Sequence, residues 1–143
     1  MAEKRSIFRG LIVLLVLTIG AVILLGLLPG LISIDVSTGP YVQSCVTSYI
    51  AIKNTSLFPI RLTRWAIEYE GSGYVYVLPT VTLFPGRTVR VWGGVGQNDT
   101  DDLYAGRAQT AWQVNGLQVR GTVLGVKDFY WTPHCNVGAA GGG

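Results

Sequence analysis

Hydrophobic and polar positions along this chain follow two rhythms. From residue 10 to residue 34 there is no charged side chain, and residues 10–28 form an apolar run broken only by small or weakly polar residues. At about 1.5 Å of rise per residue, that run comes close to the roughly 30 Å of a hydrocarbon core. Leu31, Ile32 and Ile34, beyond the Pro29-Gly30 pair, extend it. A helix apolar all round has no face for water, so it belongs in lipid or in the core of an assembly. Leu11, Leu14, Leu17, Ile23 and Leu27 are the expected anchor positions. A secretory signal has an apolar region of only about 7–15 residues and then small residues at a cleavage site. Here the run is longer, and Leu31-Ile32-Ser33-Ile34-Asp35 has no such pattern.

Beyond residue 40 the rhythm is two. Val46, Ser48, Ile50 and Ile52 alternate with Thr47, Tyr49, Ala51 and Lys53, as on a half-buried strand. Residues 63–70 alternate again, with Trp65, Ile67 and Tyr69 on one side. Gly71-Ser72-Gly73 predicts a hairpin into a returning strand at 74–78. Phe84-Pro85-Gly86 predicts a turn leading into the alternating 87–92. Residues 93–102 have loop composition, and further strands are expected around Leu103-Tyr104, Trp112, 117–124 and 126–131. The predicted organisation is a cytoplasmic tail at 1–9, a transmembrane helix at 10–34, a linker at 35–40, a β domain at 41–135 and a Gly-rich tail at 136–143. Seven or so short strands at this spacing predict an all-β sandwich.

Charge sets the orientation. Lys4, Arg5 and Arg9 precede the apolar run, and the next cation is Lys53, so the N-terminus is expected in the cytoplasm and the β domain outside. Of the net charge of +3, the first 34 residues hold +2. The basic balance therefore belongs largely to the helix flank and argues little for nucleic acid, which wants a basic patch on the domain itself. Only 13% of residues are charged, while Gly (19) is plentiful, which suits strands with tight turns.

Cys45 and Cys135 lie near the two ends of the β domain, and in an oxidising compartment they are expected to form one disulfide. Closing so long a loop contributes roughly 4 kcal/mol in the chain-entropy description. Two cysteines with His134 do not make a zinc site.

In order, the residues resemble a known family. The strand and polar bend at Tyr49–Ser56 come first, then the step Leu62-Thr63-Arg64-Trp65, where the family often has Leu-Ser-Gly-Trp. Tyr74-Val75-Tyr76-Val77 follows, then Leu83-Phe84-Pro85-Gly86 into Thr88-Val89-Arg90-Val91. A Gly- and Asp-rich loop leads to Leu103-Tyr104-Ala105-Gly106 and Trp112. The series resembles the lamin-tail domain, an immunoglobulin-like β-sandwich. Two features depart from it: Ala105 stands where the family often has Trp, and Asn115-Gly116-Leu117-Gln118 replaces a Gly-Asp-Thr-type turn. The resemblance implies a sandwich with a non-catalytic binding or scaffolding role, and it carries no catalytic residue over.

Candidate chemistry is sparse. Asp99, Asp101 and Asp102, beside Gln97 and Asn98, offer oxygens of the kind Ca²⁺ takes, without the spacing of a known calcium loop. Asn54-Thr55-Ser56 and Asn98-Asp99-Thr100 are glycosylation sequons on the expected outer side. Arg87 and Arg90 share an expected basic edge with Lys53, Arg61, Arg64 and Arg107, and Trp92 and Trp131 are the aromatic candidates for exposed interaction. Outward arginines on strands commonly protect edges, so polyanion binding is not the expectation. One histidine, and no nucleophile beside a base, point away from catalysis and from any cofactor. The expectation is a membrane-anchored surface module meeting a protein or glycan. The alternatives are a pilin-like subunit that self-assembles through the helix and, if the helix is removed, a secreted binding module.

Overall fold

The computed structural model describes residues 2–43, 45–70, 72–125 and 127–135. The Gly-rich segment 136–143 and Gly71 of the expected hairpin lie outside the described residues. The chain divides into two units, one ending at Ile32 and one beginning at Ser33.

The first unit is a single helix, α1 (Ala2–Leu31). It begins earlier than the apolar run predicts, so residues 2–9 of the expected tail are helical. Gly10, Gly20, Gly26 and Gly30 are dispersed, and long aliphatic residues between them favour helix. Pro29 falls in the last turn, where its missing N–H removes one bond, so the helix runs only two residues beyond it. Within it, residues 6–27 are long and apolar enough to cross a membrane, and none of that span is buried inside the chain.

The second unit is all β. Its strands are β1 (Ile34–Thr38), β2 (Tyr41–Gln43), β3 (Val46–Thr47), β4 (Tyr49–Asn54), β5 (Ile60–Tyr69) and β6 (Val75–Val77). They continue with β7 (Val81–Leu83), β8 (Thr88–Trp92), β9 (Asp102–Tyr104), β10 (Trp112–Gln113), β11 (Leu117–Val123) and β12 (Lys127–Trp131). One sheet has the order β1-β4-β8-β9, another β12-β11-β5-β6, and a small one β10-β3-β2; β7 pairs with the first half of β5. All pairs are antiparallel except β8 with β9.

The expected linker at 35–40 is overturned. Val36 and its neighbours pair with β4 from Ile34 opposite Asn54 to Thr38 opposite Ile50. Asp, Ser and Thr favour turns locally, but an unpaired edge of β4 supplies backbone partners that outweigh that preference. The predicted alternation from Val46 also breaks once. Thr47 is buried, its hydroxyl donating to the Gly39 carbonyl at 3.0 Å, and Ser48 resets the phase before Ile50 and Ile52 turn inward.

A similar reset divides β5. Ile60 and Leu62 are buried, then Arg64 takes a φ of 60°, and Trp65 and Ile67 are buried beyond it. The register against β11 shifts at the same place. This is a bulge, an extra residue that bends the strand and lets its two halves pair with β7 and β6.

The core draws on all the sheets. Ile50, Ile52, Val89, Val91 and Leu103 come from the first, and Ile60, Leu62, Trp65, Ile67, Leu83 and Val119 from the second. Trp112, from the small sheet, donates its indole N–H to the Val91 carbonyl at 2.9 Å and so ties two sheets together. The Trp65 ring lies over Gly121, where a Cβ would come within 2.4 Å of it, and stacks with Phe129 at 5.0 Å. Cys45 and Cys135 are disulfide-bonded, with Cα atoms 5.5 Å apart, and join the small sheet region to the segment that follows β12.

Candidate interaction surfaces

The parallel pairing of β8 and β9 places Arg90 opposite Asp102 and Trp92 opposite Tyr104. The Asp102 carboxylate accepts from Arg90 Nη2 at 2.8 Å and from Trp92 Nε1 at 2.6 Å. One strand-length earlier, Arg87 Nη2 donates to both oxygens of Asp101, at 2.8 and 3.0 Å. Asp99 Oδ1 accepts the backbone N–H groups of Asp101 and Asp102 at 2.8 and 2.7 Å. Those two bonds hold the Asp99 carboxyl below its usual range, by favouring the charged form. The Arg90 guanidinium is pushed up by its hydrogen bond and its attraction to Asp102.

These pairings overturn three expectations. Asp99, Asp101 and Asp102 spend their oxygens on backbone N–H groups and arginines instead of converging on a shared point. Among the described residues no cluster of three His, Cys, Asp or Glu side chains can hold a metal. Arg87 and Arg90 are neutralised by their carboxylates, so they do not present a free basic edge. Trp92 is half-buried, its ring 4.9 Å from that of Tyr49, 6.4 Å from that of Tyr104 and 5.8 Å from the Arg90 guanidinium. Trp131 is also half-buried, opposite buried Val119. Neither indole is an open platform.

A cation site that the sequence did not disclose surrounds Arg107, on the loop after β9. Its guanidinium lies 5.2 Å from the Tyr69 ring, 4.9 Å from Tyr74 and 5.1 Å from Trp112. It donates to Gln109 Oε1 at 2.9 Å, and the Gln113 N–H donates to the Tyr69 hydroxyl at 2.8 Å. Burial raises the Tyr74 pKa, the Arg107 charge opposes the rise, and Tyr69 adds to it. Cation–π attraction in such a three-ring box fixes the loop against β5. The rings come from three separate stretches, and no local motif announces them.

The solvent face of β12-β11-β5-β6 carries several exposed apolar side chains. Register aligns Val77, Ala66, Arg120 and Tyr130 across four strands, with Val75 beside Glu68 in the next row. Val75, Val77 and Tyr130 are exposed, while Tyr76 between the valines is half-buried. Arg120 pairs with Glu68 at 3.1 Å. Residues from Thr63 to Tyr130 line a shallow depression on this face.

The two sequons differ. Asn54 is fully buried at the end of β4: its Nδ2 donates to the carbonyls of Phe58 at 2.9 Å and Leu83 at 2.8 Å, and its Oδ1 accepts the Ser56 N–H at 2.9 Å. A glycan on that nitrogen is incompatible with the folded domain, so the Asn54 expectation is corrected. Asn98 is exposed, and its Oδ1 accepts the Tyr104 N–H at 2.8 Å. Leu11, Leu14, Leu17, Ile23 and Leu27 all project from α1 without cover from the chain.

No family model matches the chain, and no curated protein matches it.

Proposed function

We propose that this protein is a single-pass membrane protein, N-terminus inside, presenting a disulfide-closed β-sandwich of the lamin-tail plan at the cell surface. Its role is structural or adhesive and non-catalytic, toward a protein or glycan partner. The observation that carries the reading is the helix: long, apolar on every side, and uncovered by the rest of the chain. The Cys45–Cys135 bond and the Lys4, Arg5 and Arg9 flank support the outward placement of the domain.

The lamin-tail reading gains support at one backbone position. Arg64 stands where that family often has glycine, and it adopts the left-handed conformation that glycine takes at no steric cost. The solvent face bearing Val75, Val77 and Tyr130 is the surface best suited to a partner, since exposed apolar patches mark such contacts. The exposed Asn98 sequon is open to a glycan.

Protease treatment of intact cells tests the reading, with intact mass measured before and after reduction. A digestible domain, a chain beginning at Met1 or Ala2, and a two-hydrogen gain on reduction are expected. A domain protected from protease, or free thiols at both cysteines, overturns it. The same helix serves a second reading, a pilin-like subunit polymerising into a filament, which requires a chain starting near residue 10. A start near residue 35 instead leaves a secreted binding module.

A further inference from the structure

The end of the β domain where the chain arrives from α1 is built around one buried residue. Asn54 sits opposite Ile34 in the first sheet, and its side chain holds the carbonyls of Phe58 and Leu83. Its backbone is equally engaged: the N–H donates to Arg87 at 3.0 Å, and the carbonyl accepts from Gly86 at 2.8 Å. Loop 55–59 and turn 84–87 are therefore fixed side by side.

Ser33, the first residue of the domain, is tied to the same place. Its N–H donates to Ser56 Oγ at 2.8 Å, and its carbonyl accepts from the Ser56 hydroxyl and the Thr55 N–H, both at 3.0 Å. The Thr55 hydroxyl donates to Ser33 Oγ at 2.7 Å. Only Ile32 separates Ser33 from Leu31, the last of the helix, and the two residue steps between them reach at most ~7 Å.

This anchored end bears apolar side chains that the domain leaves uncovered. Leu57 is 93% exposed, two residues before Pro59, and Phe84 is 60% exposed, directly before Pro85. Arg61, exposed on β5 opposite Thr82, adds a cation one residue beyond buried Ile60. We propose that Leu57 and Phe84 are membrane-contact residues, dipping into the headgroup layer of the bilayer that α1 enters and seating the β domain on it. The proposal rests on the transmembrane reading of α1. A bilayer is the occupant the chain favours, because the chain leaves the helix at Leu31 and enters the domain at Ser33, which its four bonds tie to the loop that carries Leu57. Apolar side chains buried about 5–10 Å into the headgroup and acyl boundary are a recognised interfacial mode, with cations alongside to meet anionic lipid.

The test uses the full chain in vesicles of phosphatidylcholine with a minority of phosphatidylglycerol. Single cysteines at Leu57→Cys, Phe84→Cys, Val77→Cys, Val95→Cys and Leu17→Cys each carry an environment-sensitive fluorophore, with the native disulfide intact. Val95 is 80% exposed and lies on the loop after β8, at the opposite end of that strand from Asn54. Emission at 57 and 84 is expected to shift blue on reconstitution and to be quenched by brominated acyl chains, while 77 and 95 stay water-like. Labels at 57 and 84 as water-like as that at 95, with the Leu17 label quenched, overturn the docking and leave the anchor standing. An unquenched Leu17 label overturns the membrane reading itself. Protection at 57 and 84 that persists without lipid quenching, with cross-linking between copies, assigns the surface to self-association and overturns the lipid assignment. Because both side chains are exposed, Leu57→Ser with Phe84→Ser is expected to keep the fold and abolish any seating-dependent protection of loop 55–59.

Discussion

The indole N–H of Trp92 donates to the carboxylate of Asp102 at 2.6 Å, across the parallel pairing of β8 and β9. The same carboxylate holds Arg90, so one acid positions an aromatic ring and a cation on the neighbouring strand. Asp102→Ala is expected to cost about 1–3 kcal/mol, the range for hydrogen bonds to charged groups and for a donor left unpartnered. Urea unfolding measures that loss, and Trp92 fluorescence should move to the red as the ring gains water. Unchanged stability and emission would mean the bond does not form in solution.

Asn54 offers a stronger case, because its side chain is wholly buried and makes three hydrogen bonds. Asn54→Ala leaves two carbonyls and one N–H without partners, and a loss of about 3 kcal/mol is expected. Asn54→Asp, which keeps the acceptor and loses the donor, should also destabilise near neutral pH. A glycan found on Asn54 in the folded protein would contradict this packing directly.

Arg64 presents the opposite sign. Its φ of 60° costs an ordinary residue roughly 1–2 kcal/mol, which glycine avoids while giving some back as unfolded-state freedom. Arg64→Gly should therefore keep stability within about 1 kcal/mol of the native chain. Arg64→Val should lose more, since β-branched residues tolerate positive φ least. Thermal midpoints of the pair decide it, and a Gly variant less stable than Val would refute the bulge geometry.

Acid should act through Asp99. Its folded pKa is depressed by the N–H groups of Asp101 and Asp102, so its contribution is present above the unfolded carboxylate pKa. That contribution fades as pH falls below the ordinary carboxylate range toward the lower folded value. Asp99→Asn should flatten this part of the pH–stability profile by lowering stability near neutral pH, leaving the acid end nearly unaffected. NMR titration of the Asp99 carboxyl reads the shift itself.

Removing the disulfide should be costly. Cys45→Ser with Cys135→Ser opens a loop of sequence separation 90, worth up to roughly 4 kcal/mol. Denaturant midpoints with and without reductant should agree with the double variant. Insensitivity of the native protein to reductant would place the two thiols apart.

Much of the fold is legible where side chains alternate for the core. Ile50 with Ile52, and Val89 with Val91, alternate in the sequence and are fully buried in the structure. The strand β1 is not legible, because Asp, Ser and Thr there read as a turn and only the edge of β4 makes them a strand. The parity of β6 also escapes local reading: Val75 and Val77 face solvent because Tyr76 turns inward at that register. Candidate sites fare less well for the same reason. Three aspartates in one loop are visible at once, whereas the arginines facing them are set by the pairing of two strands twelve or so residues apart. Asn54 carries a sequon and a buried core bond in the same letters, and only packing separates them. The rings around Arg107 come from β5, the residue before β6 and β10, a meeting that spacing does not announce.

The bond between Cys45 and Cys135 also governs how the domain bears load. A pull applied between Ser33 and Cys135 passes through the sulfur bridge and bypasses the chain enclosed between the cysteines. Unfolded and fully drawn out, that enclosed chain would lengthen the molecule by ~300 Å, at about 3.4 Å per residue. With the bridge closed, only the stretch from Ser33 to Cys45 can yield, about 40 Å at the same rise. Under tension the domain is a short, stiff tether, and a reducing agent turns it into a long, compliant one.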